Sequence, residues 1–454
     1  MIPMMLSEAA RRVGGTLVGD DAMIYGVSTD SRKIGAGDLF VALKGERFDA
    51  HDFCSQVKDA GAGALLVSRK PDVVGISYIL VEDTRIALGL LAKAVRDICN
   101  PKVIGVTGTC GKTSVKDMLL SICSEEGRAM ATDGNFNNDI GAPLTMLRME
   151  KGLELAVIEM GTNHPGELRY IAPLVSPDVV VINNVGYAHL EGFGSLRGVF
   201  EAKSEAYEGL KEGGTAIFCG DSEFAGDFAA SKIENAAAKA MFGSSSDCDV
   251  YPSEISSDET GFCSFMLHLP CDSFKVSLRV PGRHNVLNAC AAAAAAHYAG
   301  VSASSIKRGL ENCVPRVGRL RAETVGGYRL IDDAYNASVN AVRAAVDYLS
   351  SLPGHKVMIL GDMGELGEKA AELHAEVGRW VAESPIDDLL TLGPLMENAA
   401  RAAGTKGASF ASREELYKML PRFLEERPGA AVLVKGSHGM RMHEVLDFLR
   451  GSLC

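Results

Sequence analysis

The chain has 454 residues, 47% hydrophobic and 23% charged, which suits a soluble globular protein of about three domains and excludes a disordered one. Its formal net charge of −12, with no Lys/Arg run, excludes an extended nucleic-acid surface, so any polyanionic ligand must be held by local basic groups. Eleven cysteines without a CxxC pair argue for reduced thiols in the cytoplasm, and neither the opening MIPMMLSEAARR nor the short Ala291–Ala296 run predicts a secretory signal or membrane insertion.

In the first stretch, short strands at Leu39–Leu43 and Ala64–Val67 and a helix over Ile86–Cys99 are expected. Asn100-Pro101 discourages helix continuation and marks a boundary. Apolar strands then recur at Val103–Val106, Leu155–Ile158, Val179–Ile182 and Ala216–Phe218 with helical stretches between them, the pattern of a parallel sheet wrapped by helices. A third alternation follows Pro315, with strands at Leu330–Ile331, Val357–Leu360, Leu389–Leu392 and Val432–Val434. The fold class is α/β in three domains, 1–100, 101–314 and 315–454, with ligands at the carboxyl ends of strands and between domains.

The stretch VIGVTGTCGKTSVKDMLL, residues 103 to 120, carries the chemistry. It ends like the phosphate loop GxxxxGK[ST], although the opening glycine position is Val106. Val115, Met118, Leu119 and Ile122 recur at helical spacing after it, so a glycine turn feeds a helix N-terminus. Backbone N–H groups of Gly108, Thr109, Cys110, Gly111, Lys112 and Thr113 can cradle phosphates, Lys112 can reach the β/γ-phosphates, and the Thr113 hydroxyl can hold Mg²⁺. Cys110 sits beside Lys112 and a helix start, both of which favour thiolate; the alternative is a simple spacer.

Three further residues stand out. Glu159 closes a buried strand and is followed by a glycine, where a Mg²⁺ ligand belongs beside a phosphate loop. His189 falls in a loop at the same edge of the sheet, either as a second metal ligand or as an ordinary polar group. Lys203 shares an apolar helix face with Phe200, Tyr207 and Leu210, so it either snorkels or, with its pKa lowered by burial, takes up CO₂ to become a carbamate, an anionic oxygen ligand.

With GTCGKT, IEMG, HLEGFGS and AK in this order, the chain resembles the ATP-dependent Mur ligase family of peptidoglycan synthesis, which uses a shortened GTxGK[ST] loop. STDSRKIGAGDLFVALKGERFDAHDF (28 to 53) resembles the family's uridine-binding domain. GNFNNDIGAP, MGTNHPGEL, PGRHNVLNACAAAA, DDAYNAS, LGDMGELG and VKGSHGM resemble the branch that adds a terminal dipeptide. The resemblance implies an N-terminal uridine-binding α/β domain, a central P-loop ATPase-like parallel sheet and a C-terminal Rossmann-like domain. It places ATP phosphates on Gly108 to Ser114, and Mg²⁺ near Thr113, Glu159 and His189, with Lys203 as the carbamylated lysine. Asn288 would meet the adenine, Arg319 the phosphates, and Asp333 the nucleotide from the third domain. Ser31, Arg32 and Lys44 would hold uridine diphosphate, and Asn135, Asn137 and Asn138 would line the path of the muramoyl peptide.

The implied substrates are UDP-N-acetylmuramoyl-tripeptide and D-alanyl-D-alanine, joined through an acyl phosphate by a monomer acting in the cytoplasm. Lys112, Lys203, His189, Glu159 and Arg319 would be the catalytic set, with His189, Glu191 and Asp333 open as candidates for the base. The rival in the family, the ligase that adds the third residue, typically carries DNPR, and no DNP occurs here. Folylpolyglutamate synthases lack the DSR…GDLFVALKG segment. A non-ligase P-loop switch needs no carbamate.

Overall fold

A computed structural model describes residues 1–45, 48–187 and 190–453. Three α/β units follow one another, each with its own sheet. In the first, the strands Val27–Ser28, Leu39–Val41, Ala64–Val67 and Ser77–Leu80 run parallel in adjacent positions, and Thr16–Val18 joins antiparallel at the far edge. The helix expected over Ile86–Cys99 spans Thr84–Cys99. Asp83 caps it by accepting from the N–H groups of Arg85 and Ile86 at 2.7 and 3.0 Å, and Asn100 ends it in the left-handed region (φ 46°), immediately before Pro101. Leu88, Leu91 and Val95 on this helix share one core with Met146, Leu168 and Ile171, so it ties the first unit to the second.

The central sheet has six strands, all parallel, in the order Ala236–Phe242, Gly214–Cys219, Val179–Ile182, Lys102–Thr107, Leu155–Glu159, Ala129–Ala131. Lys102–Thr107 lies between the two strands that follow later in sequence on either side, so the loop after it opens at the point where strand order reverses, the place such sheets bind ligands. An antiparallel sheet of Tyr251–Ser257, Phe262–His268 and Ser273–Pro281 was not foreseen. Its strands alternate buried and half-exposed side chains and lack the continuous apolar runs of the parallel strands. The helix His284–Tyr298 shares one core with this small sheet and the central one, and Ala289 to Ala296 are fully buried in it. A run of small side chains lets the surrounding layers approach closely, which accounts for the alanine stretch.

The third unit is a six-stranded sheet in the order Arg321–Val325, Tyr328–Asp333, Ala431–Lys435, Lys356–Gly361, Asp388–Leu392, Gly407–Phe410. It is parallel except for the first strand, which is joined by a two-residue turn at Gly326-Gly327, both at positive φ as a tight hairpin of that hand requires. No helix among the described residues is long and apolar enough to cross a membrane.

Candidate active site

The glycine loop leaves the strand Lys102–Thr107 and enters the helix Lys112–Glu126, as the apolar spacing predicts. Gly108 (φ 149°) and Gly111 (φ 75°) adopt backbone that side chains rarely tolerate, and a Cβ at Gly111 would lie 2.5 Å from Asn183 Nδ2 and 2.6 Å from Asn288 Oδ1. These contacts force glycine at 111 from two directions.

Two residues missed in the sequence, Asn183 and Asn184, hold the loop from the end of the neighbouring strand Val179–Ile182. The Thr109 N–H donates to Asn184 O at 3.0 Å and the Cys110 N–H to Asn184 Oδ1 at 2.9 Å. Both asparagine side-chain amides donate to Cys110 O, at 3.0 and 2.9 Å. Two of the expected cradle donors are therefore engaged within the protein, and the turn from Gly111 to Ser114 presents its N–H groups at the positive end of the helix. The only signal in the sequence was a pair of asparagines closing a buried strand beside the loop strand.

The Lys112 ammonium folds over its own loop, donating to Gly108 O at 2.8 Å and Thr109 O at 3.2 Å. Burial pulls its pKa down, with Arg319 adding to the effect and Glu159 opposing it. Cys110 corrects an expectation: burial pushes its thiol up, outweighing Lys112 and the Asn184 contact, so no resting thiolate is favoured.

Glu159 is 2% exposed at the carboxyl end of Leu155–Glu159. One carboxylate oxygen accepts from Asn137 Nδ2 at 2.7 Å, and the other, Oε2, is buried without a hydrogen-bond partner. Thr107 Oγ1, at the end of the adjacent strand, is likewise buried and unpartnered. Orphaned anionic and hydroxyl oxygens beside a phosphate loop are the donor chemistry a Mg²⁺ ion takes, so the residues present fit the metal. Among the described residues no group of three or more His, Cys, Asp and Glu side chains converges to hold an ion.

Lys203 is 2% exposed, and burial together with the Lys112 charge drives its pKa well below the ordinary lysine value. Its helix is shorter than the apolar spacing predicts. Leu196–Ser204 gives way to a 3₁₀ turn over Glu205–Gly209, so Tyr207 and Leu210 lie beyond the α-helix that carries Lys203. The His189 expectation lies outside the described residues.

Residues 206 positions apart meet across the cleft, where Arg319 Nη2 donates to Thr113 Oγ1 at 3.3 Å with its guanidinium 4.3 Å over the Tyr335 ring. Asp333 accepts at 2.7 Å from Lys435, a buried lysine at a strand end that the sequence reading left without a role. Cys110, Gly111, Ser114, Asn288, Arg319 and Asp333 line one cavity of about 220 Å³ between the central and third units.

Other expected binding residues lie elsewhere. Ser31, Arg32 and Lys44 follow the parallel strands Val27–Ser28 and Leu39–Val41 at their carboxyl ends, the ligand edge of the first sheet. Arg32 is exposed and paired with Asp30, whose carboxyl it holds down at about 2. Of the three asparagines, Asn137 joins Glu159, Asn138 accepts from the Gly141 N–H at 2.8 Å at the start of the helix Gly141–Met146, and Asn135 is exposed.

Three family models cover most of the chain: Mur ligase family, catalytic domain (residues 23–102), Mur ligase middle domain (106–296), and Mur ligase, glutamate ligase domain (318–438). The UDP-N-acetylmuramoyl-tripeptide–D-alanyl-D-alanine ligase of Escherichia coli K12 is 41% identical over 459 aligned residues, covering 99% of each chain. The MurF structure from Acinetobacter baumannii superposes with a TM-score of 0.93 at 36% identity over 99% of each chain. The MurF ligase of Thermotoga maritima, in complex with ADP, superposes at 0.84 and 29% identity, over 94% of this chain and 97% of that one.

Proposed function

The chain belongs to the Mur ligase family, and from that premise we infer how its own residues carry out the ATP-dependent joining of D-alanyl-D-alanine to UDP-N-acetylmuramoyl-tripeptide. The observation that carries the reading is the cavity in which Gly111 and Ser114 of the central unit face Arg319 and Asp333 of the third.

A carboxylate is a poor electrophile and water opposes amide formation, so the reaction needs activation. The tripeptide carboxylate attacks the γ-phosphorus of ATP, forming an acyl phosphate and releasing ADP. The amine of D-alanyl-D-alanine then adds to the acyl carbon, loses its proton, and the collapsing tetrahedral intermediate expels phosphate. Lys112 and Arg319 stabilise charge on the transferring phosphoryl group, and the helix start at Gly111 to Ser114 orients it. Mg²⁺, held by Glu159 and Thr113 and by His189, would neutralise phosphate charge. A carbamate on Lys203 would supply an anionic oxygen in a pocket where an ammonium is disfavoured. Asn288 would read the adenine, and Asp333 would contact the nucleotide from the third unit.

Ser31, Arg32 and Lys44 would hold the uridine diphosphate, and Asn135, Asn137 and Asn138 the peptide path, of which Asn137 leads directly to Glu159. The ten described cysteines are all unpaired, in keeping with the cytoplasm. The test is phosphate release with each substrate omitted in turn. Release that requires ATP, UDP-muramoyl-tripeptide and D-alanyl-D-alanine together is expected; release from ATP alone at the same rate would overturn the reading.

A further inference from the structure

A chain of three buried asparagines lines one wall of the nucleotide cavity. Asn285 Nδ2 donates to Pro281 O at 2.7 Å, Asn288 Nδ2 donates to Asn285 Oδ1 at 2.8 Å, and Asn183 Nδ2 donates to Asn288 Oδ1 at 2.9 Å and to Cys110 O at 3.0 Å. Backbone carbonyls terminate both ends, and a carbonyl only accepts. Pro281 O therefore turns the Asn285 amide nitrogen toward itself, which leaves Asn285 Oδ1 facing Asn288. Asn288 must answer with its nitrogen, so its oxygen faces Asn183, whose NH₂ spends both hydrogens, one on Asn288 and one on the glycine loop. Reversing any one amide sets two acceptors or two donors against each other in a buried site, which is heavily penalised.

Asn288 lines the cavity, and one N–H and one oxygen lone pair of its amide are not consumed by the chain. Their positions are set by Asn183 and Asn285. A donor and an acceptor side by side match the N7 acceptor and N6–H donor of adenine, whereas a 6-oxopurine presents two acceptors on that edge.

We propose that Asn183 and Asn285, with Pro281 O, are specificity-determining positioning residues that lock the Asn288 amide in the orientation selecting ATP over 6-oxopurine nucleotides. Because Asn183 also donates to Cys110 O, the same amide ties base recognition to the geometry of the phosphate loop. This rests on the nucleotide reading of the cavity above.

The test compares kcat/KM for ATP with that for ITP in the wild type, Asn183→Asp and Asn285→Leu. The Asn183→Asp change removes the NH₂ that serves both partners, and Asn285→Leu removes the acceptor that holds the Asn288 nitrogen. The ATP/ITP preference should fall on the order of ten-fold or more in both variants, mainly through a higher KM for ATP. Calorimetric binding of ADP and IDP to the folded proteins gives the same comparison where turnover is lost, and a thermal melt reports folding. Equal losses toward both nucleotides would overturn the proposal and reduce the asparagines to loop supports. Wild-type protein that binds neither ADP nor IDP would instead sink the nucleotide reading itself.

Discussion

Glu159 and Asn137 share a 2.7 Å hydrogen bond that engages one carboxylate oxygen and leaves the other, Oε2, buried without a partner at the mouth of the phosphate loop. A half-satisfied buried carboxylate is costly in the resting protein and becomes favourable when a cation arrives. Glu159→Gln keeps the size of the side chain and an oxygen for Asn137 but removes the charge. We expect kcat/KM to fall about 100-fold or more, equivalent to about 3 kcal/mol, with a raised Mg²⁺ requirement in a titration of ADP release. An unchanged Mg²⁺ dependence would remove the metal role of Glu159.

Burial and the nearby Lys112 charge hold the Lys203 amine toward its neutral form, the form that adds CO₂ to give a carbamate and one proton. Protein equilibrated with ¹³C-bicarbonate should show a carbamate carbon signal that disappears in Lys203→Gln. The signal should weaken on acidification, which protonates the amine and reverses the addition. Turnover at the wild-type rate in Lys203→Arg, whose guanidinium stays charged, would exclude the carbamate.

His284 lines the cavity, and burial, reinforced by Lys435 and opposed by Asp347, lowers its pKa from 6.5 to about 4. The unfolded chain therefore binds more protons than the native one between these values, and the stabilising contribution present at neutral pH is lost as pH falls through this window. Urea unfolding at pH 5 should show about 2 kcal/mol less stability than at pH 7 from this residue alone. That part of the slope should be absent in His284→Gln; an identical slope would assign the acid sensitivity to other groups.

Burial raises the Cys110 thiol, whereas Cys271 is exposed. Mass spectrometry after brief iodoacetamide treatment at pH 7 should find Cys271 modified well before Cys110, and ATP should slow Cys110 further. Faster labelling at Cys110 would restore the thiolate reading.

Much of the fold was readable because parallel strands buried on both faces are continuous apolar runs. Val179–Ile182 and Ala64–Val67 match the expected bounds residue for residue, and Leu155–Glu159 extends by one. The small antiparallel sheet escaped because its half-buried strands, such as Phe262–His268, interleave buried and half-exposed positions. The early end of the Lys203 helix at Ser204 was hidden because a 3₁₀ turn continues the same apolar face for a few residues. At the site, the loop and Glu159 announce themselves by local chemistry, while the meeting of Arg319 with Thr113 depends on how two units dock and came only from motif likeness. Asn183 and Lys435 went unassigned because a lone amide or ammonium at a strand end carries no pattern until its partner in the fold is known.

The most direct measurement is formation of the UDP-muramoyl-pentapeptide product by Lys112→Met, followed chromatographically at saturating ATP, Mg²⁺ and both other substrates. The Lys112 ammonium lies over the glycine loop; in the proposed mechanism it meets the transferring phosphoryl group, so its removal should cut product formation on the order of a thousand-fold while the variant stays folded. Pentapeptide appearing at the wild-type rate would contradict the account.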